Sequence, residues 1–145
     1  MNVKIKKLSE NAIIPTYGSP YAAGADLYAC IESALEIAPG ETALVKTGLA
    51  IELPVGYAAF IYARSGLASK RGLAPANKVG VVDCDYRGEI MVALHNHSGK
   101  VQSIEPQERI AQMVIAPYIT AEFEETDELS DTVRGQGGFG STGTK

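Results

Sequence analysis

Hydrophobic and polar positions alternate with a period near two along almost the whole chain. Val3 and Ile5 alternate with Lys4 and Lys6, the signature of a short strand with one wet face. A turn-rich stretch from Pro15 to Gly24 leads into a second strand, Ala25–Cys30. Pro39-Gly40 breaks the chain before a strand signal from Thr42 to Leu53, and Pro54-Val-Gly56 breaks it again before Tyr57–Ala63. Val79–Val82 and Glu89–Asn96 flank Asp83–Gly88, the pattern of a hairpin with a polar loop, and Ile110–Tyr118 reads as a last, long apolar strand. The one candidate helix is Ser65–Arg71, with Ser65 as its cap and Gly72 as its end. Many short strands separated by Gly/Pro turns predict an all-β fold, a jelly-roll-like sandwich or barrel.

Length and charge narrow the picture. The chain has 145 residues, which suits one domain with a real core. Composition turns abruptly acidic at Glu122-Phe-Glu-Glu-Thr-Asp-Glu128, so we divide the chain into a β domain over 1–121 and an acidic connector with a glycine-rich arm over 122–145. A net charge of −4 argues against a nucleic-acid partner, although a small anion needs only local positive charge. No apolar run reaches the roughly 20 residues of a membrane span. Cys30 and Cys84 lack metal spacing and are expected to be free thiols; with no signal-peptide pattern at the start, a cytoplasmic protein is expected.

Chemistry concentrates in a few stretches. The tail Arg134-Gly-Gln-Gly-Gly-Phe-Gly-Ser-Thr-Gly143 combines a guanidinium, an aromatic face, two hydroxyls and bare backbone, an inventory for nucleotide phosphates and a base. It fits G-x-G-x-x-G but lacks the strand before and helix after that a dinucleotide fold needs, and Ser141 stands where a Walker A lysine would be. Arg64, Ser65 and Gly66, where a strand ends and a turn or short helix begins, form a second anion-binding stretch. Asp83 and Asp85 lie in the proposed hairpin loop, where one carboxylate can serve as general base or both can bind a metal. Asp26 interrupts a small apolar strand and needs a partner, whether an arginine, a metal-bound water or a backbone donor. Asn77 can hydrogen-bond a base or cap a turn, and Gln112 interrupts an apolar run. His95 and His97 share a strand face without a third metal ligand, and Cys84 has no neighbouring histidine to make it a nucleophile.

Five stretches, in order, resemble the trimeric dUTPase family: Ala23-Gly-Ala-Asp-Leu-Tyr-Ala29, Ala63-Arg-Ser-Gly-Leu-Ala68, Gly80-Val-Val-Asp-Cys-Asp-Tyr-Arg-Gly88, Glu108-Arg-Ile-Ala-Gln112 and the tail. The resemblance implies a dUTPase-like β-clip, a homotrimer with shared active sites, and hydrolysis of dUTP to dUMP and diphosphate with Mg2+ on the triphosphate. Such an activity keeps uracil out of DNA and supplies dUMP for dTMP synthesis. It also implies that Asp83 is the base and that Asp26 reaches the metal only through water. Arg64, Ser65, Gly66 and Gln112 would hold the phosphates, with Arg134, Gly140, Ser141 and Thr142 closing on them from a neighbouring subunit. Asn77 and the backbone at Val81, Val82 and Met91 would read uracil, Tyr86 would pack on the deoxyribose, and Phe139 would stack on the base. Ala63 departs from the family's frequent proline. The competing expectations are a dCTP deaminase of the same fold, whose second motif resembles Arg-Ser-Ser, and a non-catalytic nucleotide-binding module.

Overall fold

A computed structural model of the chain describes residues 1–138. Twelve strands and one helix follow in order: β1 (Lys4–Lys7), β2 (Thr16–Tyr17), β3 (Ala25–Tyr28), β4 (Leu35–Ile37), β5 (Thr42–Lys46), β6 (Leu49–Glu52), β7 (Tyr57–Tyr62), α1 (Ser65–Arg71), β8 (Leu73–Pro75), β9 (Gly80–Val82), β10 (Met91–Asn96), β11 (Gln102–Ile104) and β12 (Arg109–Pro117). They pair as β1-β6, β5-β10-β8, β11-β4 and the five-stranded β2-β3-β12-β7-β9, all antiparallel. This is the all-β, jelly-roll-like fold that the alternating pattern predicts. One core joins the sheets, with Leu27, Val45, Leu73, Leu94, Ile104 and Ile110 fully buried. Burying each such side chain contributes about 1.5–3 kcal/mol relative to leaving it exposed.

Three local features differ from the sequence pattern. The run Thr42–Leu53 is two strands, because the chain turns at Gly48 with φ +67° and a side chain there would strike Ala12 and the Cys30 sulfur. Arg64, not Ser65, holds the cap position of α1, and no side chain caps it; Gly72 does end the helix, at φ +67°. The expected hairpin is not a ladder. β9 pairs with β7, whereas β10 pairs with β5 and β8. The cause lies at Ile90, whose carbonyl accepts from the Thr47 hydroxyl at 2.6 Å and whose N–H donates to Leu49 O at 2.8 Å. Those bonds draw the second arm toward the β5–β6 turn, so the two arms splay around the loop 83–88.

Beyond Pro117 the described residues form no helix or strand, and those from Pro117 to Gln136 are exposed. Phe139, Gly140, Ser141 and Thr142 lie outside the described residues.

Candidate active site

The splayed arms open a cavity of about 310 Å³, lined by Asn77, Val81, Val82, Asp83, Tyr86 and Met91 among others. Asn77 arrives there on a tight turn: Lys78 takes φ +65°, and its N–H donates to Pro75 O at 3.0 Å. Because β9 ends its sheet, one backbone edge of Gly80–Val82 is not taken by a strand among the described residues. An edge of that kind offers alternating N–H and C=O groups to a planar ligand.

The loop itself is tightly built. Tyr86 N–H donates to Asp83 O at 3.2 Å, and the Arg87 guanidinium donates to the carbonyls of Cys84 and Tyr86 at 2.7 and 3.0 Å. The Tyr86 hydroxyl donates to Glu89 O at 3.0 Å. Asp83 is exposed, and among the described residues no side chain pairs with its carboxylate. An unpaired carboxylate on a rigid loop is suited to accept a proton from water. Cys84 turns away from this role and lies 3.6 Å from the Tyr118 hydroxyl. That hydrogen bond is the main reason the Tyr118 phenol is held above its ordinary value, with the Cys84 charge, burial and both nearby aspartates adding to it.

A second cavity, of about 410 Å³, gathers Asp26, Arg64, Ser65, Gly66, Arg109 and Gln112. The register places Asp26 directly across from Gln112, and Gln112 across from Tyr62, two residues before Arg64. Asp26 accepts Arg64 Nε at 2.8 Å on one oxygen and Arg109 Nη1 at 3.2 Å on the other. Of the partners open to Asp26 from sequence, the arginine is therefore present, and twice over. Two guanidiniums against one carboxylate leave the cavity with local positive charge inside an acidic chain. The first intrahelical bond of α1 is Ala68 N to Arg64 O at 2.9 Å, so the N–H groups of Ser65, Gly66 and Leu67 have no helical partner. A side chain at Gly66 would meet nothing within 4 Å, so no protein contact requires glycine there; its bareness keeps the cavity open.

Gln112 Nε2 donates to Ala63 O at 2.9 Å, tying β12 to the segment that carries Arg64. Gly24 leaves room for this, since a Cβ there would lie 2.5 Å from Gln112 Oε1. Arg109 was not singled out from sequence. Its signal is a charge opening a long apolar strand, and a register shift between Arg109 and Ala111 places it toward Asp26. Arg134 lies elsewhere: its Nε donates to Gly137 O at 2.8 Å within its own segment.

The two cavities share no lining residue. One chain therefore keeps Asp83 and the Arg64 cluster in separate hollows. Among the described residues no three His, Cys, Asp or Glu side chains stand close enough to hold a metal ion directly. His95 Nδ1 instead bonds the Thr42 hydroxyl at 2.8 Å, and the cysteines are free. A donor set of this kind suits a cation carried by an anionic ligand and touched through water, not one caged by protein.

A family model described as dUTPase matches residues 10–143. The deoxyuridine 5'-triphosphate nucleotidohydrolase of Nautilia profundicola is 54% identical over 143 residues, covering 99% of each chain. That of a Hydrogenobaculum species is 52% identical over 145 residues, covering 100% of both. Among solved structures, a mutant dUTPase of Staphylococcus bacteriophage 80alpha with dUpNHpp aligns with a TM-score of 0.85 at 28% identity, over 98% of each chain. A mutant dUTPase of phage phi11 of S. aureus, described with a coordinated structural Mg(II) ion, aligns at 0.78 and 25% identity, over 88% of this chain and 98% of its own.

Proposed function

The chain belongs to the dUTPase family, and from that footing we propose how it hydrolyses dUTP to dUMP and diphosphate. The observation that carries the reading is Asp83, a carboxylate that no side chain pairs among the described residues, lining a cavity beside the edge strand β9. Uracil enters between the splayed arms and pairs with backbone groups at Val81, Val82 and Met91, with Asn77 at the side. Tyr86 packs on the deoxyribose and leaves no room for a 2′-hydroxyl. The slot rejects thymine by its methyl group and cytosine by its reversed donor–acceptor edge.

Asp83 orients and deprotonates a water that attacks the α-phosphorus in line with the leaving diphosphate. Arg64 and the N–H groups at Ser65 and Gly66 take up the charge of the phosphate chain, with Gln112 holding that segment in place. Bound Mg2+ would supply positive charge to the triphosphate oxygens, and Asp26 would hold it only through water. Because the base cavity and the phosphate cavity share no residue, we assign them to one site built across two subunits of a homotrimer. The segment from 122 onward carries Arg134, Phe139, Gly140, Ser141 and Thr142 to close a site of a neighbouring subunit. No helix among the described residues is long and apolar enough to cross a membrane, and we place the enzyme with the cytoplasmic nucleotide pool. The deaminase reading finds less support: glycine follows Arg64-Ser65, and the relatives are named nucleotidohydrolases.

Asp83→Asn tests the mechanism. It should bind dUTP normally while diphosphate release falls by about 10²–10⁴-fold, the usual worth of a general base. Unchanged turnover removes Asp83 from that role.

A further inference from the structure

Gly88 has no special torsion to explain it. Its φ lies outside the left-handed region where Gly40, Gly48, Gly56 and Gly72 sit, so an alanine could follow the same backbone. What excludes a side chain is one neighbour. A Cβ on Gly88 would lie 2.3 Å from the Tyr86 hydroxyl oxygen, 2.5 Å from Cζ and 2.9 Å from Cε2. The tyrosine ring thus occupies the volume that any other residue at 88 would fill. From that place its hydroxyl reaches Glu89 O at 3.0 Å.

The acceptor is itself held. Glu89 Oε1 accepts the Gly48 N–H at 2.8 Å, and the next residue, Ile90, is clamped to Thr47 and Leu49. The ring is therefore pinned at its tip by an anchored carbonyl and seated over a bare backbone. From this we infer that Gly88 is a specificity-determining residue: its missing side chain sets where the Tyr86 ring stands, and so which sugar fits. This rests on the assignment of Tyr86 to the deoxyribose.

Gly88→Ala displaces the ring by on the order of 1 Å, the overlap measured against ordinary carbon contact. The ring end yields more easily than backbone, so the fold survives while the hydroxyl leaves Glu89. Whichever way the ring moves, the energy lost belongs to the sugar that fitted it. UTP, which never fitted, loses less.

The experiment measures kcat/KM for dUTP and for UTP in Gly88→Ala, Tyr86→Ala and the double variant. We expect the dUTP/UTP ratio to fall at least about tenfold in Gly88→Ala. In the Tyr86→Ala background, with no ring to displace, adding Gly88→Ala should change the ratio less than about twofold. A ratio preserved in Gly88→Ala but lowered in Tyr86→Ala overturns the role of Gly88 and leaves Tyr86 its own. A ratio preserved in both overturns the sugar-packing assignment, and Gly88 with it. If Gly88→Ala fails to fold, recovery of folding in the double variant still identifies the ring as the obstacle, whereas a double variant that also fails overturns the inference.

Discussion

Asp26→Asn separates charge from shape at the point where two arginines converge. Asparagine matches the volume of aspartate, so the packing beneath it is kept; Asp26 itself is only 9% exposed. Its amide offers one oxygen where the carboxylate offered two. If that oxygen stays with Arg64, the bond changes from one between two charges to one between a guanidinium and a neutral amide, and loses roughly 1 kcal/mol. Arg109 then faces an amide N–H and loses its bond altogether. Its side chain is 51% exposed, so solvent screening holds that loss to about 0.5–1 kcal/mol. The sum is about 2 kcal/mol, which corresponds to a Tm lower by roughly 4–8 °C for a chain of this size. The measurement is thermal unfolding of both proteins at one fixed concentration, because assembly shifts Tm by mass action. Diphosphate release from dUTP is followed in parallel, and KM should rise because Arg64 is no longer aimed by a full charge. A Tm within about 1 °C of the parent refutes the ledger of interactions. A lowered Tm with unchanged KM would show that Arg64 meets the phosphates without help from Asp26.

Two further outcomes test the assembly of the site. Deleting residues from Arg134 onward should abolish dUTP hydrolysis and leave the circular dichroism spectrum intact, since Arg134 bonds only within its own segment among the described residues; full activity in the truncated protein sinks the closing arm. Asp83→Asn and Arg64→Ala should each be inactive alone, yet co-refolded as a mixture they should recover about one quarter of parental activity if the two cavities meet across subunits, and none if each chain forms its own site.

Much of the fold was legible because it is carried by local pattern. Alternation marked the strands, and Pro39-Gly40, Pro54 to Gly56 and Gly72 marked breaks where the chain does turn. The short strands β4 and β11 were missed, since three residues carry too little alternation to register. The break at Gly48 was missed for a different reason. Its neighbours Ala12 and Cys30 are distant in sequence, and only their approach makes a glycine necessary. The candidate residues fared similarly. Residue chemistry flagged Asp26 as needing a partner, but could not choose among partners; Arg64 and Arg109 lie 38 and 83 positions away.

By itself the sequence determined the all-β class, the helix at Ser65–Arg71, and the residue types that a nucleotide triphosphatase requires. Those follow from torsional preference, side-chain period and functional-group chemistry, all of which are properties of neighbouring residues. Tertiary structure decided the rest. It splayed the expected hairpin by binding Ile90 to the β5–β6 turn, joined two arginines on Asp26, and laid the Tyr86 ring over Gly88. It also divided the candidate residues between two cavities that share none of them. The physical reason is common to all four: each depends on distances between segments remote in the chain or on the space between side chains, and neither is encoded in the order of residues along a strand.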